Sequence, residues 1–312
     1  MKLKLDFPQQ IATNKINYKD NLMLIGSCFT ENIGHFLQRH DFNTKINPFG
    51  ILFHPIAIFG ALNRIVDKKL FSEEELVFNH ELWHSLEHHS SFSHVEKNMC
   101  LEKINEEIIS SHEFLKNTKY LLITLGTSII YELEENHKIV SNCHKIDAKK
   151  FNKRFLNIDE ILDAFDLTYK ALQTLNPNLK IIFTVSPVRH WRDGLVENNR
   201  SKSRLIYSVE NIINKYINTE YFPAYELIID DLRDYRFFEA DFCHPNQMAI
   251  NYIWNYFTKM YFDDITLEYM EDKNQLLKMT AHKVQFEDTK SSKILVENIK
   301  QKQTLIDKKY FS

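Results

Sequence analysis

Continuous apolar runs, not alternating ones, recur along the first two-thirds of the chain. Asn21 to Ser27 contains Leu22-Met23-Leu24-Ile25, Tyr120 to Gly126 contains Leu121-Leu122-Ile123, and Lys180 to Pro187 contains Ile181-Ile182-Phe183. Runs of this length suit parallel strands that are covered on both faces. A short run at Thr44 to Gly50 and a later one at Tyr225 to Leu232 complete a predicted set of five strands. Between them apolar residues fall at helical spacing: Ile33, Phe36 and Leu37 within Thr30 to His40, then Ile161, Leu162, Phe165, Tyr169 and Leu172 within Ile158 to Leu175. Strands and helices alternate, so the pattern predicts a three-layer α/β/α sandwich around a parallel sheet of about five strands.

Two segments break the rhythm. Residues 51–118 put more chain between strands two and three than one crossover helix needs. Ile129 to His144 alternates apolar and polar residues around Glu134-Glu135-Asn136-His137, the pattern of a β-hairpin excursion. Inserted loops of this kind build the walls of substrate sites on rigid scaffolds. No glycine follows Gly194 and no proline follows Pro245, so residues 246–312 read as largely helical. Residues 1–262 are expected to form the main domain, and 263–312 a charged helical extension packed on it or projecting from it.

Composition narrows the class. The 312 residues are 44% hydrophobic and 26% charged, a globular balance. A formal net charge of -3 gives no electrostatic footprint for nucleic acid. No segment approaches the ~18 apolar residues of a membrane span, and the start, Met1 to Pro8, lacks the apolar stretch of a signal peptide. Cys28, Cys100, Cys143 and Cys243 show no paired spacing. The expected setting is a reduced cytoplasm, with neither nucleic acid nor membrane as a partner.

Candidate chemistry gathers where the strands end. Gly26-Ser27, closing the first apolar run, would lift a hydroxyl onto the carboxyl edge of the sheet, where parallel α/β sheets bind ligands. Far downstream, Asp241-Phe242-Cys243-His244-Pro245 sets an acid and an imidazole three residues apart, with Pro245 suited to a first helical position. Asp241 would accept a hydrogen bond from one ring nitrogen of His244 and leave the other facing Ser27. Nucleophile, base and orienting acid are the parts of an acyl-transfer site, which requires no metal and no cofactor. Cys28 adjoins Ser27, but the backbone direction at a strand end aims it away if Ser27 faces the site.

Such a site also needs donors for a developing oxyanion. Candidates are the backbone N–H of Ser27, Gly50 at the end of Asn47-Pro48-Phe49-Gly50, and Gly126-Thr127-Ser128 after the third strand. Arg189-His190-Trp191-Arg192, after the fourth, suits a carboxylate, phosphate or sugar ligand. A rival motif, His80-Glu81-Leu82-Trp83-His84, matches H-E-x-x-H, which on a helix would offer two imidazoles to zinc and Glu81 as a base. An alternative reading places Trp83, His84 and His88 in the wall over the serine.

Gly26-Ser27-Cys28-Phe29-Thr30 resembles the signature of the GSCFA family, with Thr30 where alanine is usual. The likeness continues through Asn47 to Gly50, Trp83 to Ser90, Thr124 to Thr127, Asn142 to Lys145, Ser186 to Trp191 and Asp234 to Phe237, and covers roughly residues 20–262. That family is similar to the SGNH, or GDSL-like, hydrolases. The resemblance implies a flavodoxin-like sheet with strand order 2-1-3-4-5, and hydrolysis of a carbohydrate or other small acyl ester, acetyl esters among them. It also implies Ser27 as nucleophile, His244 as base and Asp241 as its orienting acid. Where SGNH enzymes usually place an oxyanion-hole asparagine, two residues after the third-strand glycine, this chain has Ser128. The resemblance therefore leaves that role to the Ser128 hydroxyl, or to Asn47 or Asn142 from neighbouring loops. The chain is expected to be a serine esterase or deacylase, with acyl transfer to a sugar hydroxyl as the same chemistry. The alternative is a module that binds carbohydrate or acyl ligands without turnover.

Overall fold

The strands, in chain order, are β1 (Leu22–Gly26), β2 (Thr44–Ile46), β3 (Leu76–Asn79), β4 (Leu82–Ser85), β5 (Tyr120–Leu125), β6 (Ile129–Leu133), β7 (Ile139–Val140), β8 (Phe151–Phe155), β9 (Lys180–Val185) and β10 (Thr219–Tyr221). The helices are α1 (Cys28–Arg39), α2 (Pro55–Val66), α3 (Lys97–Lys116), α4 (Ile158–Leu175), α5 (Leu195–Lys215), the short α6 (Ala224–Glu226), α7 (Gln247–Tyr261), α8 (Asp264–Thr280) and α9 (Lys290–Tyr310). This is a computed structural model that describes residues 7–281 and 289–311. The start at Met1 to Asp6, and the parts of the C-terminal extension at 282–288 and Ser312, lie outside the described residues.

The central sheet pairs in the order β2, β1, β5, β9, β10, with every pair parallel. This is the expected 2-1-3-4-5 order. Its topological switch lies between β1 and β5, whose carboxyl ends flank the crevice where such sheets bind ligands. Alternate residues of one strand enter different cores. Leu22 and Leu24 pack with α1 and α7, whereas Met23 and Ile25 pack with α2, α3, α4 and α5. Both faces are therefore covered, which is why the strands read as unbroken apolar runs.

The fifth strand is not where the apolar run suggested. Tyr225 to Leu232 is helical, α6 leading into a π-helical turn over Leu227–Leu232, and the strand is the shorter β10 before it. Ala224, Leu227 and Ile228 are buried, a spacing of three and four that belongs to a helix. Pro223 precedes it, at a helix entry where a missing N–H goes unnoticed.

The long insertion contributes α2, the β3–β4 hairpin and α3, while β6 and β7 form the predicted excursion. To these β8 adds a third antiparallel strand, giving a small sheet in the order β7, β6, β8. The C-terminal helices close over the N-terminal segment. Tyr269 stacks on Tyr18 at 4.7 Å and donates from its hydroxyl to the His40 carbonyl at 3.0 Å, while the Tyr18 hydroxyl donates to the Tyr310 carbonyl at 2.7 Å. Among the described residues no helix is long and apolar enough to cross a membrane.

Candidate active site

Strand β1 ends at Gly26 with φ of 142°, and a Cβ there would lie 2.2 Å from the carbonyl oxygen of Thr124. Only glycine permits that conformation and that closeness. The Gly26 N–H donates to Asn47 Oδ1 at 2.9 Å, and the Ser27 N–H to the Thr124 carbonyl at 3.3 Å. The strand end is thus clamped from both neighbours. Ser27 caps α1 with extended torsions (φ -70°, ψ 174°) and makes no side-chain cap hydrogen bond. Ser27 is 1% exposed, its hydroxyl is buried with no hydrogen-bond partner among the described residues, and it is not among the residues that line the cavity described below. Cys28, the first helical residue, lines the cavity instead.

That cavity, about 670 Å³, opens at the carboxyl edge of the sheet, and the loops after β2, β5, β9 and β10 supply most of its walls. The last of these loops brings in Asp241 and His244. Asp241 Oδ2 lies 2.6 Å from His244 Nδ1, and Oδ1 accepts the backbone N–H groups of Cys243 at 2.8 Å and His244 at 3.0 Å. The backbone amide and ring of His244, followed by the Cys243 amide, hold the carboxyl down to about 2. The acid therefore fixes the loop and the ring together and leaves Nε2 available to the cavity. Both side chains are about half exposed, at 50% for His244 and 48% for Asp241.

Most of the expected oxyanion donors serve the scaffold. Gly50 donates its N–H to the Asn47 carbonyl at 2.7 Å; Gly126 and Thr127 donate theirs to the Phe53 carbonyl at 2.7 and 3.0 Å. Ser128 is fully buried, donating its N–H to Ser201 Oγ at 2.7 Å and its hydroxyl to the same oxygen at 3.2 Å. Asn47 Oδ1 accepts the Gly26 amide while its Nδ2 is buried with no partner among the described residues, and the Ser27 N–H is taken by Thr124. These groups complete turns that the sequence does show, but with partners that it does not. Thr127 and Asn142 do line the cavity. Thr127 Oγ1 is already shared with Ser201 Oγ at 3.0 Å and the Ile129 N–H at 3.1 Å. Asn142 uses Oδ1 to accept the His144 N–H at 3.0 Å, which leaves its amide nitrogen as a donor.

Of the expected ligand-binding residues, Arg189, His190 and Trp191 line the cavity. Arg189 donates to the Phe242 carbonyl at 3.2 Å and lies over the Phe238 ring at 4.1 Å, tying the loop after β9 to the loop that bears His244. His190 meets Phe53 edge-on at 5.5 Å and is pushed down to about 4, by burial first and then by Lys202. Trp83, His84 and His88 belong to other surroundings. Trp83 packs on Phe78 at 5.1 Å, and His88 stacks on Phe49 at 4.1 Å, 1% exposed. The H-E-x-x-H segment is no helix: His80 and Glu81 form the tight turn between β3 and β4, with φ of 44° and 63°. His84 is spent on Ser93 Oγ at 2.6 Å and the Asn79 carbonyl at 3.0 Å. The shared helical face on which the zinc reading depended is not formed. His54 and His89 line the cavity without having been singled out.

The residue that sequence reasoning missed most completely is Lys202. It is 1% exposed on α5, and its Nζ donates to the carbonyls of Gly126 at 2.6 Å and Ser186 at 2.7 Å, just past β5 and β9. Burial lowers its pKa to about 7. Its neighbours on α5 do related work: Asn198 Oδ1 accepts the His190 N–H at 3.0 Å, and Ser201 Oγ serves Thr127 and Ser128. One signal was available: Asn198, Ser201 and Lys202 stand three and four apart, a polar stripe on the face that continues as Leu205, Val209 and Ile212.

Comparison with known proteins adds the following. No curated protein matches the sequence. Among solved structures, the chain is similar to a family 3 carbohydrate esterase of Clostridium thermocellum, at 8% identity and a TM-score of 0.37, covering 78% of this chain and 94% of that one. A family 3 carbohydrate esterase from Talaromyces cellulolyticus is similar at 10% identity and a TM-score of 0.36, covering 82% and 99%. An acetyl xylan esterase from the rumen bacterium Butyrivibrio proteoclasticus is similar at 13% identity and a TM-score of 0.32, covering 68% and 57%. The model of the GSCFA family matches residues 21–257, a stretch that holds Cys28, Lys202, Asp241 and His244. The chain belongs to the GSCFA family.

Proposed function

We propose that this chain hydrolyses an acyl ester, with Cys28 as nucleophile, His244 as general base and Asp241 orienting the ring. The observation that carries the reading is the shared cavity. Cys28 lines it together with the Asp241–His244 pair, and the buried Ser27 is not among its lining residues. Cys28 is also the first residue of α1, a position where the helix terminus favours negative charge. Burial and then Glu31 push its thiol up; its own amide, Lys202 and the Phe29 amide oppose them.

His244 Nε2 takes the proton from Cys28 Sγ, and the sulfur bonds to the acyl carbon while the carbonyl π pair moves onto oxygen. The Asn142 amide nitrogen is a donor at the cavity for that oxygen. Collapse expels the alcohol, which takes the proton back from His244 and leaves a thioester on Cys28. Water then gives a proton to Nε2, attacks the thioester and releases the acid and the thiol. A sugar hydroxyl in place of water makes the same site an acyltransferase. Trp191, 62% exposed at the rim, offers an aromatic face to a carbohydrate or another small polar alcohol.

Labelling tests the reading. Iodoacetamide and a fluorophosphonate are applied to the full chain, the adducts are mapped by mass spectrometry, and a panel of small acyl esters is assayed. The expected result is alkylation at Cys28 and turnover abolished in Cys28→Ala and His244→Ala. An adduct on Ser27, with turnover surviving in Cys28→Ala, overturns the cysteine assignment. Ester binding without turnover by the wild type overturns the enzyme and leaves a binding module.

A further inference from the structure

Helix N-caps are usually short side chains: serine, threonine, asparagine or aspartate. Helix α2 is capped by a histidine instead. His54 Nδ1 accepts the Ala57 N–H at 3.1 Å, and Pro55 fills the first helical position. An acceptor at Nδ1 puts the proton of a neutral ring on Nε2, which lies 3.0 Å from the Val140 carbonyl. The ring is 4% exposed, and burial pushes it down to about 4, so it stands neutral at pH 7. Both nitrogens are therefore spent in one tautomer, and the second bond lies beyond the reach of the usual caps.

The two ends of this bridge belong to different parts of the fold. Around His54 the chain lies across the ends of the central sheet. The Leu52 N–H donates to the Gly26 carbonyl at 3.0 Å, and the Phe53 carbonyl accepts from Gly126 and Thr127. At the other end, Val140 closes β7, a two-residue strand at the edge of the small sheet. Ser141, Asn142 and Cys143 follow directly and line the cavity, as does His54. Their far side is tied to the Leu86 carbonyl, which accepts the N–H groups of Ser141 at 2.8 Å and Asn142 at 3.3 Å.

We propose that His54 is a positioning residue that sets Asn142 relative to Cys28, by pinning the end of β7 to the segment that crosses the ends of β1 and β5. The proposal rests on the reading of Cys28 as nucleophile and of Asn142 as the oxyanion donor. Cys28 follows β1 of the central sheet and Asn142 follows β7 of the small one, so their separation depends on what joins the two sheets. A donor for a developing oxyanion is effective only when it is held in place before the charge forms. His54 exchanges no proton in the reaction, since both ring nitrogens are already engaged. It acts through the wall that it holds.

His54→Asn separates the two bonds. Asparagine caps helices well, so the Ala57 N–H keeps an acceptor, but the side chain ends short of Val140. In the full chain, the side-chain amide signals of Asn142 in proton–nitrogen NMR are expected to move, while the backbone amide of Ala57 keeps its protection from exchange. Ester turnover is expected to fall about tenfold or more in kcat with little change in KM, because a displaced donor is felt in the transition state. In an Asn142→Ala background the same change is expected to cost less than about twofold, since its effect passes through the missing amide. Unmoved Asn142 signals in folded His54→Asn overturn the proposal, and so does an equal loss of turnover in both backgrounds. Should His54→Asn fail to fold, nitrogen NMR of the wild-type ring decides the question. A bare Nδ1 and a protonated Nε2 are expected; the opposite tautomer, or a mixture of the two, overturns the pin. The NMR readings stand whether or not esters are turned over, so a failure of the pin and a failure of the cysteine hydrolase give different results.

Discussion

Asp241 and His244 hold each other twice, through a carboxylate contact with ring Nδ1 at 2.6 Å and through the His244 backbone N–H at 3.0 Å. With the Cys243 N–H also on the carboxylate, one side chain shapes the turn and aims the imidazole. Formation of the loop and orientation of the imidazole are a single event.

The first prediction concerns pH. The folded-state pKa of Asp241 is depressed to about 2, below the ~3.9 of an unfolded aspartate. A depressed carboxyl contributes stability that is present above the unfolded value and lost as pH falls through the folded one. The loop is therefore expected to keep its shape at pH 4 and to loosen near pH 2. Carbon-detected NMR of the Asp241 carboxyl should show a midpoint near 2; a midpoint near 4 would mean that the three hydrogen bonds are not made.

Asp241→Asn isolates the aiming role. The amide oxygen can still accept the two backbone N–H groups, but the amide nitrogen cannot accept from ring Nδ1–H. Ester turnover is expected to fall by ~10²–10⁴, the range of general acid–base catalysis, with the circular dichroism spectrum unchanged. Turnover equal to wild type would remove Asp241 from the mechanism.

Two glycines should respond in opposite directions to the same change. Gly26→Ala meets both a φ of 142° and a carbonyl oxygen 2.2 Å from the new Cβ, and is expected to cost about 3 kcal/mol or more. Gly60 lies exposed within α2 with nothing inside 4 Å of a Cβ, so Gly60→Ala is expected to stabilise by about 0.5–1 kcal/mol. Urea denaturation of both variants checks the pair. Equal effects would contradict the strand-end geometry.

Tyr269 tests whether the C-terminal helices belong to the fold. It is 1% exposed against Tyr18 and donates to the His40 carbonyl. Tyr269→Phe is expected to cost about 1 kcal/mol and Tyr269→Ala about 3–5 kcal/mol. A calorimetric scan in which Tyr269→Ala leaves the main transition unmoved would show the helices to be detachable.

The sheet was legible because its strands are covered on both faces: β1, β5 and β9 announce themselves as unbroken apolar runs. Helix α4, Ile158–Leu175, begins and ends where its apolar spacing indicates. The run at Tyr225 to Leu232 misled because a short apolar stretch fits strand or helix alike, and Pro223 and the buried spacing decided for helix. The Asp241–His244 contact is local in sequence, so its three-residue spacing made it visible. Which of the adjacent Ser27 and Cys28 lines the cavity depends on the backbone at a strand-to-helix junction, which no composition records. The oxyanion candidates were glycines and polar residues at the right strand ends, but their amides are satisfied by Phe53, Asn47 and Ser201, partners brought in from elsewhere. Lys202 was invisible because its two hydrogen-bond partners are backbone carbonyls, which every residue has.

The polar stripe of α5 gives the cavity a second address. Asn198 and Ser201 are buried where a ligand would not reach them, yet they fasten the loops after β9 and β5, and Lys202 fastens both strand ends. Selection for a new substrate can therefore act on a helix instead of on the walls, and one replacement there would shift two loops at once. In a randomised library of this chain, altered specificity should map to Asn198 and Ser201 as readily as to Arg189 or Trp191.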